Sequence, residues 1–249
     1  MTWLHNASVE YTSSRLFDHP ANAKEVIESN EGKGRNIVAA FYNQLKKIQI
    51  QVPEKQYLQD IMGVVALLGT VNDNSLSRMF SEYLGEDYMF AVVCKSYEAS
   101  ITFEKQSVND KTDYNCAFYD AASALGKAIN GRFLVICLEK IRPYYGQIES
   151  DGFQRKLTLP NPRLPSGRVP RGFLGYAVNM INVVLDHVQF RTAAGYGLRE
   201  TLFYLLFGEL QVYETKADMQ EAEACIKSGA ISLDGSIKRR NGVIALGDW

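Results

Sequence analysis

The stretch Leu-Phe-Gly-Glu-Leu-Gln-Val-Tyr-Glu-Thr-Lys-Ala-Asp at residues 206–218, with Ala-Ile-Ser-Leu-Asp-Gly-Ser-Ile at 230–237, decides the fold. Residues 210–213 and 230–233 predict two short strands. Between them, Thr215 with Asp218 three residues later predicts the capped start of a helix over 215–226, in a variant of the capping box. Asp234-Gly235 then predicts a tight turn. This alternation of short strands and helices is typical of an α/β domain.

The alternation continues on both sides of this stretch. We predict helices at 35–50, 54–69, 76–84, 119–129 and 198–207, and strands at 88–94, 100–104, 133–138, 177–184, 188–192 and 243–246. Residues 1–33 are polar and unpatterned, so we expect a loose lead-in there.

Residues 155–172 differ from their surroundings because they hold four of the seven prolines, five basic side chains and no acid. This proline density opposes a regular element and predicts an extended basic linker. We therefore expect four segments. They are an N-terminal extension with one amphipathic helix at 1–55, a first subdomain at 56–152, the linker at 153–172, and a second subdomain at 173–249.

Composition limits the function classes. The 249 residues carry 27 basic and 28 acidic side chains, so the net charge of the protein does not attract nucleic acid. Any nucleic-acid binding must therefore come from a local basic patch. The asymmetry is small, with a net charge of −3 over 1–150 and +2 over 151–249. No apolar run approaches the roughly 18–20 residues that cross a membrane, and we expect no membrane partner.

Residues typical of catalysis and metal binding are sparse. Three histidines lie far apart, four cysteines form no Cys-x-x-Cys pair, and the chain has neither a phosphate-binding loop nor a Gly-x-Ser-x-Gly motif. We expect buried free thiols in a reducing compartment. The sequence predicts no catalytic residue, no metal site and no cofactor, and hence no enzyme.

The turn Gly195-Tyr196-Gly197 begins like a dinucleotide fingerprint, but Glu200 stands at the position of the third glycine. A carboxylate there would repel a pyrophosphate, so a turn into a helix is the preferred interpretation. A nucleotide-binding α/β enzyme that uses this turn stays an alternative. The helix behind it is apolar on all sides at 202–207, which fits either the core or a partner surface.

Leu206–Asp218, Ala230–Ile237 and Asn241-Gly242 together resemble the second half of the hinge domain of structural maintenance of chromosomes (SMC) proteins. Ser232 and Asn241 replace the family's usual threonine and serine, and Leu246-Gly247 stands where Gly-Gly is usual.

The first half fits this family as well. Residues 62–73, 172–180 and 195–204 are very similar to plant hinge proteins of the "defective in meristem silencing protein 3" kind, which have relatives linked to an ATPase and to DNA repair. The resemblance covers about residues 60–247.

The resemblance implies a mixed α/β, two-lobed hinge domain with small mixed sheets flanked by helices, which forms a symmetric homodimer. It also implies a nuclear role in chromatin, through RNA-directed DNA methylation (gene silencing) or DNA repair, among protein partners of such a complex. An alternative is a pure protein-interaction scaffold that recruits silencing partners without contacting nucleic acid.

Two sets of site residues follow. Glycines at strand ends allow close backbone approach, so the expected dimer-interface residues are Gly63, Gly69, Gly235, Gly242 and Gly247. For a modest interaction with single-stranded or duplex DNA or RNA, the expected residues are Arg168, Arg171, Lys227, Lys238, Arg239 and Arg240.

Overall fold

The computed structural model describes residues 59–101, 107–108, 111–112, 134–149, 153–240 and 244–245. The helices predicted at 35–50 and 119–129, and the lead-in, lie outside these residues. Two compact units divide the described chain. The N-terminal unit has residues 59–68 and the described residues of 86–140. The C-terminal unit has residues 69–85 and the described residues from 141 onward.

Most elements are short. The strands are β1 (Ile61–Val64), β2 (Gly69–Thr70), β3 (Val92–Cys94), β4 (Ser107–Val108), β5 (Lys111–Thr112), β6 (Val135–Cys137), β7 (Ile148–Glu149), β8 (Lys156–Leu157), β9 (Phe173–Tyr176), β10 (Asn182–Val183), β11 (Gln211–Tyr213), β12 (Gly229–Ser232), β13 (Ile237–Arg239) and β14 (Ile244–Ala245). The α-helices are α1 (Val65–Leu68), α2 (Asn74–Met89, with non-helical backbone at Gly85), α3 (Tyr97–Ile101), α4 (Ala177–Met180), α5 (Leu185–Val188), α6 (Tyr204–Phe207) and α7 (Lys216–Glu221). Other helical turns are a π-helix at Arg199–Phe203 and 3₁₀ turns at Leu138–Lys140 and Glu223–Cys225.

The N-terminal unit is organised around a three-stranded mixed sheet. Strand β3 lies in the middle, antiparallel to β1 and parallel to β6. Every residue of β1 and β3 is buried, which explains why these segments are continuous apolar runs without a polar face. Strands β4 and β5 form a separate two-stranded ladder.

The C-terminal unit contains a five-stranded sheet in the order β14-β13-β12-β11-β9. Strands β11 and β12 are parallel, with α7 as the crossover between them, and the other pairs are antiparallel. Tyr213, Met219, Ala222 and Ala230 form a buried cluster against which Phe173 packs. Two small ladders, β2 with β10 and β7 with β8, complete the unit.

The structure confirms the predicted mixed α/β class with small sheets flanked by helices. Residues 206–237 adopt the predicted structure, with strands at Gln211–Tyr213 and Gly229–Ser232 on either side of a helix capped by Thr215. In the part of the chain that is described, no helix has both the length and the apolar character needed to cross a bilayer.

The predicted helix at 54–69 is wrong at Ile61–Val64, which form β1, and is confirmed at Val65–Leu68, which form α1. A fully apolar run gives no amphipathic period, so local pattern does not separate a buried strand from a buried helix. Pairing with β3 decides the conformation here.

Three strand predictions are wrong in whole or in part. At 100–104 the prediction is wrong for Ser100 and Ile101, which end helix α3, while 102–104 lie outside the described residues. At 177–184 it is confirmed only at Asn182–Val183 (β10), because Ala177–Met180 form helix α4. The segment 188–192 forms no strand, because α5 ends at Val188 and a loop follows. Apolar segments this short lack the length at which sequence periodicity separates a helix from a strand.

We expect Thr215→Ala to lower the free energy of unfolding by about 1 kcal/mol, because the variant loses an N-cap. Thr215 Oγ1 accepts a hydrogen bond from the Asp218 backbone N–H at 3.1 Å. Thr215→Ser keeps the hydroxyl and serves as the control. Urea denaturation measures the difference, and equal stability of the two variants would contradict the capping role.

Candidate dimer and nucleic-acid interfaces

Each main sheet has two edge strands, which have only one hydrogen-bonded neighbour among the described residues. In the C-terminal unit these are β9, which pairs with β11, and β14, which pairs with β13. In the N-terminal unit they are β6 and β1, which both pair with β3. The side chain of Leu174 on β9 is exposed, at 46%. Unpaired backbone groups on such an edge can accept a strand from a second chain.

Gly69 lies in a crowded part of the C-terminal unit. A Cβ added to Gly69 would lie 2.7 Å from Ile181 Cγ2 and 2.9 Å from Phe203 Cζ. Real Cβ atoms do not approach carbon this closely, so packing within the unit is sufficient to require glycine. Its assignment to a dimer interface stays a prediction.

The other predicted interface glycines occupy different places. Gly63 is buried on β1, next to the register shift between Ile61 and Gly63. Gly235 lies in the β12–β13 turn with φ at 108°, a conformation that favours glycine. Gly242 and Gly247 lie outside the described residues. The five glycines are thus distributed over both units, and their role between chains stays a prediction.

The six predicted basic residues all belong to the C-terminal unit, and they differ in their partners. Arg168, Lys227 and Arg240 are exposed. The exposed guanidinium of Arg171 lies 3.6 Å from the Asp218 carboxylate. Lys238 forms an ion pair with Glu223, so its charge is already compensated. Arg168, Lys227 and Arg240 are therefore the cations best placed to meet a phosphate.

Arg239 forms a stack that sequence reasoning missed. Its guanidinium carbon lies 4.8 Å from the centroid of the Tyr83 ring, and Nη2 donates to the Glu82 carbonyl oxygen at 3.4 Å. The Tyr83 ring in turn stacks on Phe207, with centroids 6.0 Å apart and planes 20° from parallel. Burial raises the pKa of Tyr83, and the charge of Arg239 partly opposes this rise.

The stack presents a fixed cation on an aromatic support. Phe207 is 4% exposed and packs on Phe80, so Tyr83 rests on the core of the unit. Planar guanidinium and aromatic groups are surfaces on which nucleic-acid bases stack. Tyr83 is 156 residues from Arg239 in sequence, and no local pattern links the two.

The turn at 195–200 directs two charged side chains into the protein. Arg199 is 2% exposed and donates to the carbonyl oxygens of Val178 and Ile181 and to Gln154 Oε1. Burial lowers the pKa of Arg199 to about 10, an effect that the nearby Glu200 carboxylate opposes. The guanidinium therefore remains charged at neutral pH.

Glu200 is likewise buried, at 1% exposure, with the Arg155 Nη1 atom 3.2 Å from its Oε1. The buried side chains of Arg199 and Glu200 line a small cleft. Its other lining residues include Phe153, Gln154, His187 and Arg191. The last two residues of the 195–200 turn, Arg199 and Glu200, thus hold the local fold together. A carboxylate in the cleft opposes a bound pyrophosphate.

The described cysteines are free, as predicted, but only Cys94 is buried, whereas Cys137 and Cys225 are partly exposed. Cys94 and Cys137 are register partners on β3 and β6. Burial is the main cause that raises the pKa of Cys94 to about 12, so its thiol is protonated and inert at neutral pH. Among the residues that the structure describes, no three His, Cys, Asp or Glu side chains are grouped to hold a metal ion.

Comparison with known proteins identifies one curated relative. No protein-family model matches the chain. The structural maintenance of chromosomes flexible hinge domain-containing protein GMI1 of Arabidopsis thaliana is 40% identical over 227 residues, which make up 90% of this chain. The chain spans 13% of the length of that relative.

Solved structures of similar fold come from SMC proteins. The folded elbow of cohesin matches 92% of this chain and 25% of its own, with a TM-score of 0.50 and 17% identity. The hinge domain of Geobacillus stearothermophilus, solved as an asymmetric dimer, matches 93% of this chain and 84% of its own, with a TM-score of 0.47 and 16% identity. The Pyrococcus furiosus hinge domain matches 88% and 92%, with a TM-score of 0.42 and 15% identity.

The identity to the Arabidopsis protein extends over nearly the whole chain, and the mixed α/β fold with its short strands agrees with it. This chain therefore belongs to the family of SMC hinge domains.

Proposed function

We propose that this chain is the dimerisation hinge of a nuclear, chromatin-associated plant protein that acts in gene silencing by RNA-directed DNA methylation or in DNA repair. The observation that carries the proposal is the 40% identity to the Arabidopsis hinge-domain protein over 90% of this chain. The chain acts by holding two copies together and has no catalytic role.

The two-fold contact is proposed to form by strand addition. Strand β9 offers an edge with an exposed leucine, and its short length suits a contact between two copies related by a two-fold axis. Strand β6 offers a second edge in the N-terminal unit. The interface glycines predicted from the sequence would allow close approach of the backbones where strands end.

Nucleic-acid binding is proposed to be modest and to use the C-terminal unit. Residues 151–249 carry a net charge of +2, which is too small for strong long-range attraction. The local arrangement is more favourable, because Arg240 is exposed next to the stack of Arg239 on Tyr83. Dimerisation would double this patch by symmetry.

A second candidate function is a protein-interaction scaffold that does not contact nucleic acid. It is favoured by Leu205, which is 52% exposed although Leu202 and Leu206 on either side of it are buried. The apolar helix thus faces the core on one side and solvent on the other. Retention of a silencing or repair partner in a pull-down, with no shift of DNA or RNA in a gel, would favour the scaffold.

The test of the dimer is Leu174→Lys. A lysine on an edge strand opposes pairing, so we expect the dissociation constant of the dimer to rise at least tenfold, which corresponds to about 1.4 kcal/mol. Light scattering after size exclusion measures the mass across a concentration series, with 28.0 kDa for the monomer. The melting temperature of the monomer should change little because Leu174 is already exposed.

The matched control is Leu185→Lys, which places the same charge on an exposed leucine of α5 in the same unit. We expect it to leave the dimer intact. A strict monomer for the unmodified chain at micromolar concentration would contradict the proposed dimer. A dimer unaffected by Leu174→Lys would reject β9 as the edge and leave β6 for the same test.

A further inference from the structure

Ser166 lies at the tip of an exposed loop in the basic segment. The residues from Arg163 to Val169 are exposed except for Leu164, which is half-buried. The Leu164 N–H donates to the Arg168 carbonyl, and the Gly167 N–H donates to the Leu164 carbonyl. The loop is closed by its own hydrogen bonds, so it can open without removing core side chains.

The sequence around Ser166 is Arg-Leu-Pro-Ser, with an arginine three residues before the hydroxyl. The same spacing, Arg-x-x-Ser or Arg-x-x-Thr, occurs at three positions of the chain, which end at Ser81, Thr158 and Ser166. Sequence alone gives no reason to choose among them, whereas their surroundings differ strongly.

Ser81 lies within helix α2, and its hydroxyl donates to the Ser77 carbonyl oxygen at 2.9 Å. A protein kinase binds its substrate as an extended segment, so Ser81 would require unwinding of the helix. The unwinding would also move Phe80, which is fully buried. Ser81 is therefore inaccessible to such an enzyme.

Thr158 is exposed, but its backbone is held in place. Its N–H donates to the Gln147 carbonyl, and its carbonyl accepts the Tyr144 hydroxyl at 2.8 Å. The preceding residue, Leu157, is 2% exposed and exchanges two hydrogen bonds with the Asn179 side chain. Lifting this segment would expose a buried leucine and break the ladder of β7 and β8.

We propose that Ser166 is a phosphorylation site for a serine/threonine kinase that selects arginine three residues before its target. The kinase transfers the γ-phosphoryl group of ATP to Ser166 Oγ. The new Oγ–P bond replaces the bond between the γ-phosphorus and the bridging oxygen, ADP leaves, and the hydroxyl proton passes to a base of the kinase.

The loop is also suited to hold the product. The Arg163 guanidinium donates through Nη1 to the Gly167 carbonyl oxygen at 2.8 Å, so it lies beside the residue that follows Ser166. Arg168 closes the loop on the other side and is exposed. Phosphate with two nearby guanidinium groups forms charge-assisted hydrogen bonds, and residues 155–172 contain no carboxylate that would repel it.

The consequence for nucleic acid rests on the proposed function. A phosphoserine carries a charge of about −1.5 to −2 at neutral pH, so the net charge of residues 155–172 would fall from +5 to about +3. We expect binding of nucleic acid at low salt to weaken by about fivefold, since each lost phosphate contact reduces affinity and its salt dependence.

The experiment treats the purified chain with the catalytic subunit of cAMP-dependent protein kinase and magnesium ATP. We expect an increase in mass by one phosphoryl group, about 80 Da. Tryptic mass spectrometry should place it on Ser166, with Ser81 and Thr158 unmodified as internal controls. A synthetic peptide of residues 160–172 checks that this kinase accepts the sequence, and Ser166→Ala should abolish incorporation.

Phosphate on Ser81 or Thr158 with Ser166 unmodified would overturn the proposal. So would a folded chain that resists the kinase while the peptide is modified, or a peptide that this kinase does not accept. Nucleic-acid retention of the phosphorylated chain is measured separately. Unchanged retention with phosphate on Ser166 supports the modification site and counts against a nucleic-acid role of residues 155–172.

Discussion

Arg199→Met is expected to lower the free energy of unfolding by about 3–5 kcal/mol, the range observed when one partner of a buried charged network is removed. Methionine keeps most of the volume, so the loss comes from hydrogen bonds and charge and not from a cavity. Two buried carbonyl oxygens, of Val178 and Ile181, would lose the guanidinium that they accept from. Such unpaired groups cost about 1–3 kcal/mol each.

The buried carboxylate of Glu200 adds to this cost. It lies next to Arg199 in sequence, and the charge of each stabilises the other in a region of low solvent exposure. After the substitution, only Arg155 would compensate Glu200 among the ion pairs of the described chain. We expect Arg199→Lys to recover little stability, because a single ammonium group cannot reproduce the fork that reaches both carbonyls.

Urea denaturation of the variant measures the effect, with Arg191→Met as the matched control. Arg191 lines the same cleft but is only partly buried, and it donates to the local carbonyls of Val188 and Phe190. We expect the control to cost less than about 1 kcal/mol. An equal loss of unfolding free energy for the two variants would show that the buried hydrogen bonds of Arg199 contribute no more to stability than the local ones of Arg191.

Local sequence signals predicted the C-terminal sheet well. At residues 210–235 the apolar pattern, the Thr215 cap and the Asp234-Gly235 turn agree with one another, and each appears in the structure. Signals that reinforce one another within one short stretch of chain specify the local fold, as is typical of minimally frustrated sequences. The mixed α/β class followed from the same alternation.

Other features depend on partners that are distant in sequence. The extended conformation of β1 depends on its pairing with β3. The need for glycine at position 69 comes from the close approach of Ile181 and Phe203. Arg199 was predicted only as part of a turn into an apolar helix, because nothing local marks the carbonyls of Val178 and Ile181 as its acceptors. Long-range contacts of this kind are not encoded in periodicity or capping.

The candidate site was predictable only as a set of charges. The basic triplet at 238–240 stood out in the sequence, but its three members have different surroundings. Lys238 is neutralised by Glu223, Arg239 is supported by Tyr83, and Arg240 is exposed. The structure thus divides one charge cluster into a paired cation, a stacked cation and an exposed cation.

Reversing both Arg239 and Arg240 to Glu is expected to weaken nucleic-acid binding by about thirtyfold at low salt, because two attractive contacts become repulsive. The reversal should also reduce the slope of log affinity against log salt by about two, since about one counterion is released per phosphate contact. Filter retention of single-stranded and duplex oligonucleotides over a salt series measures both quantities.

The control for net charge reverses Lys140 and Arg142, which are also exposed and change the net charge by the same amount, although Lys140 already pairs with Glu139 at 3.7 Å. We expect the nucleic-acid affinity of this control to fall less than about threefold, because only the overall electrostatic attraction is weakened. Lys238→Glu should likewise have a small effect, because its charge is already compensated by Glu223. If the control pair loses as much as Arg239 and Arg240, binding depends on overall charge and the patch at the end of β13 has no specific role. If no variant changes retention while the chain still dimerises, the protein-interaction scaffold is the better account of this hinge.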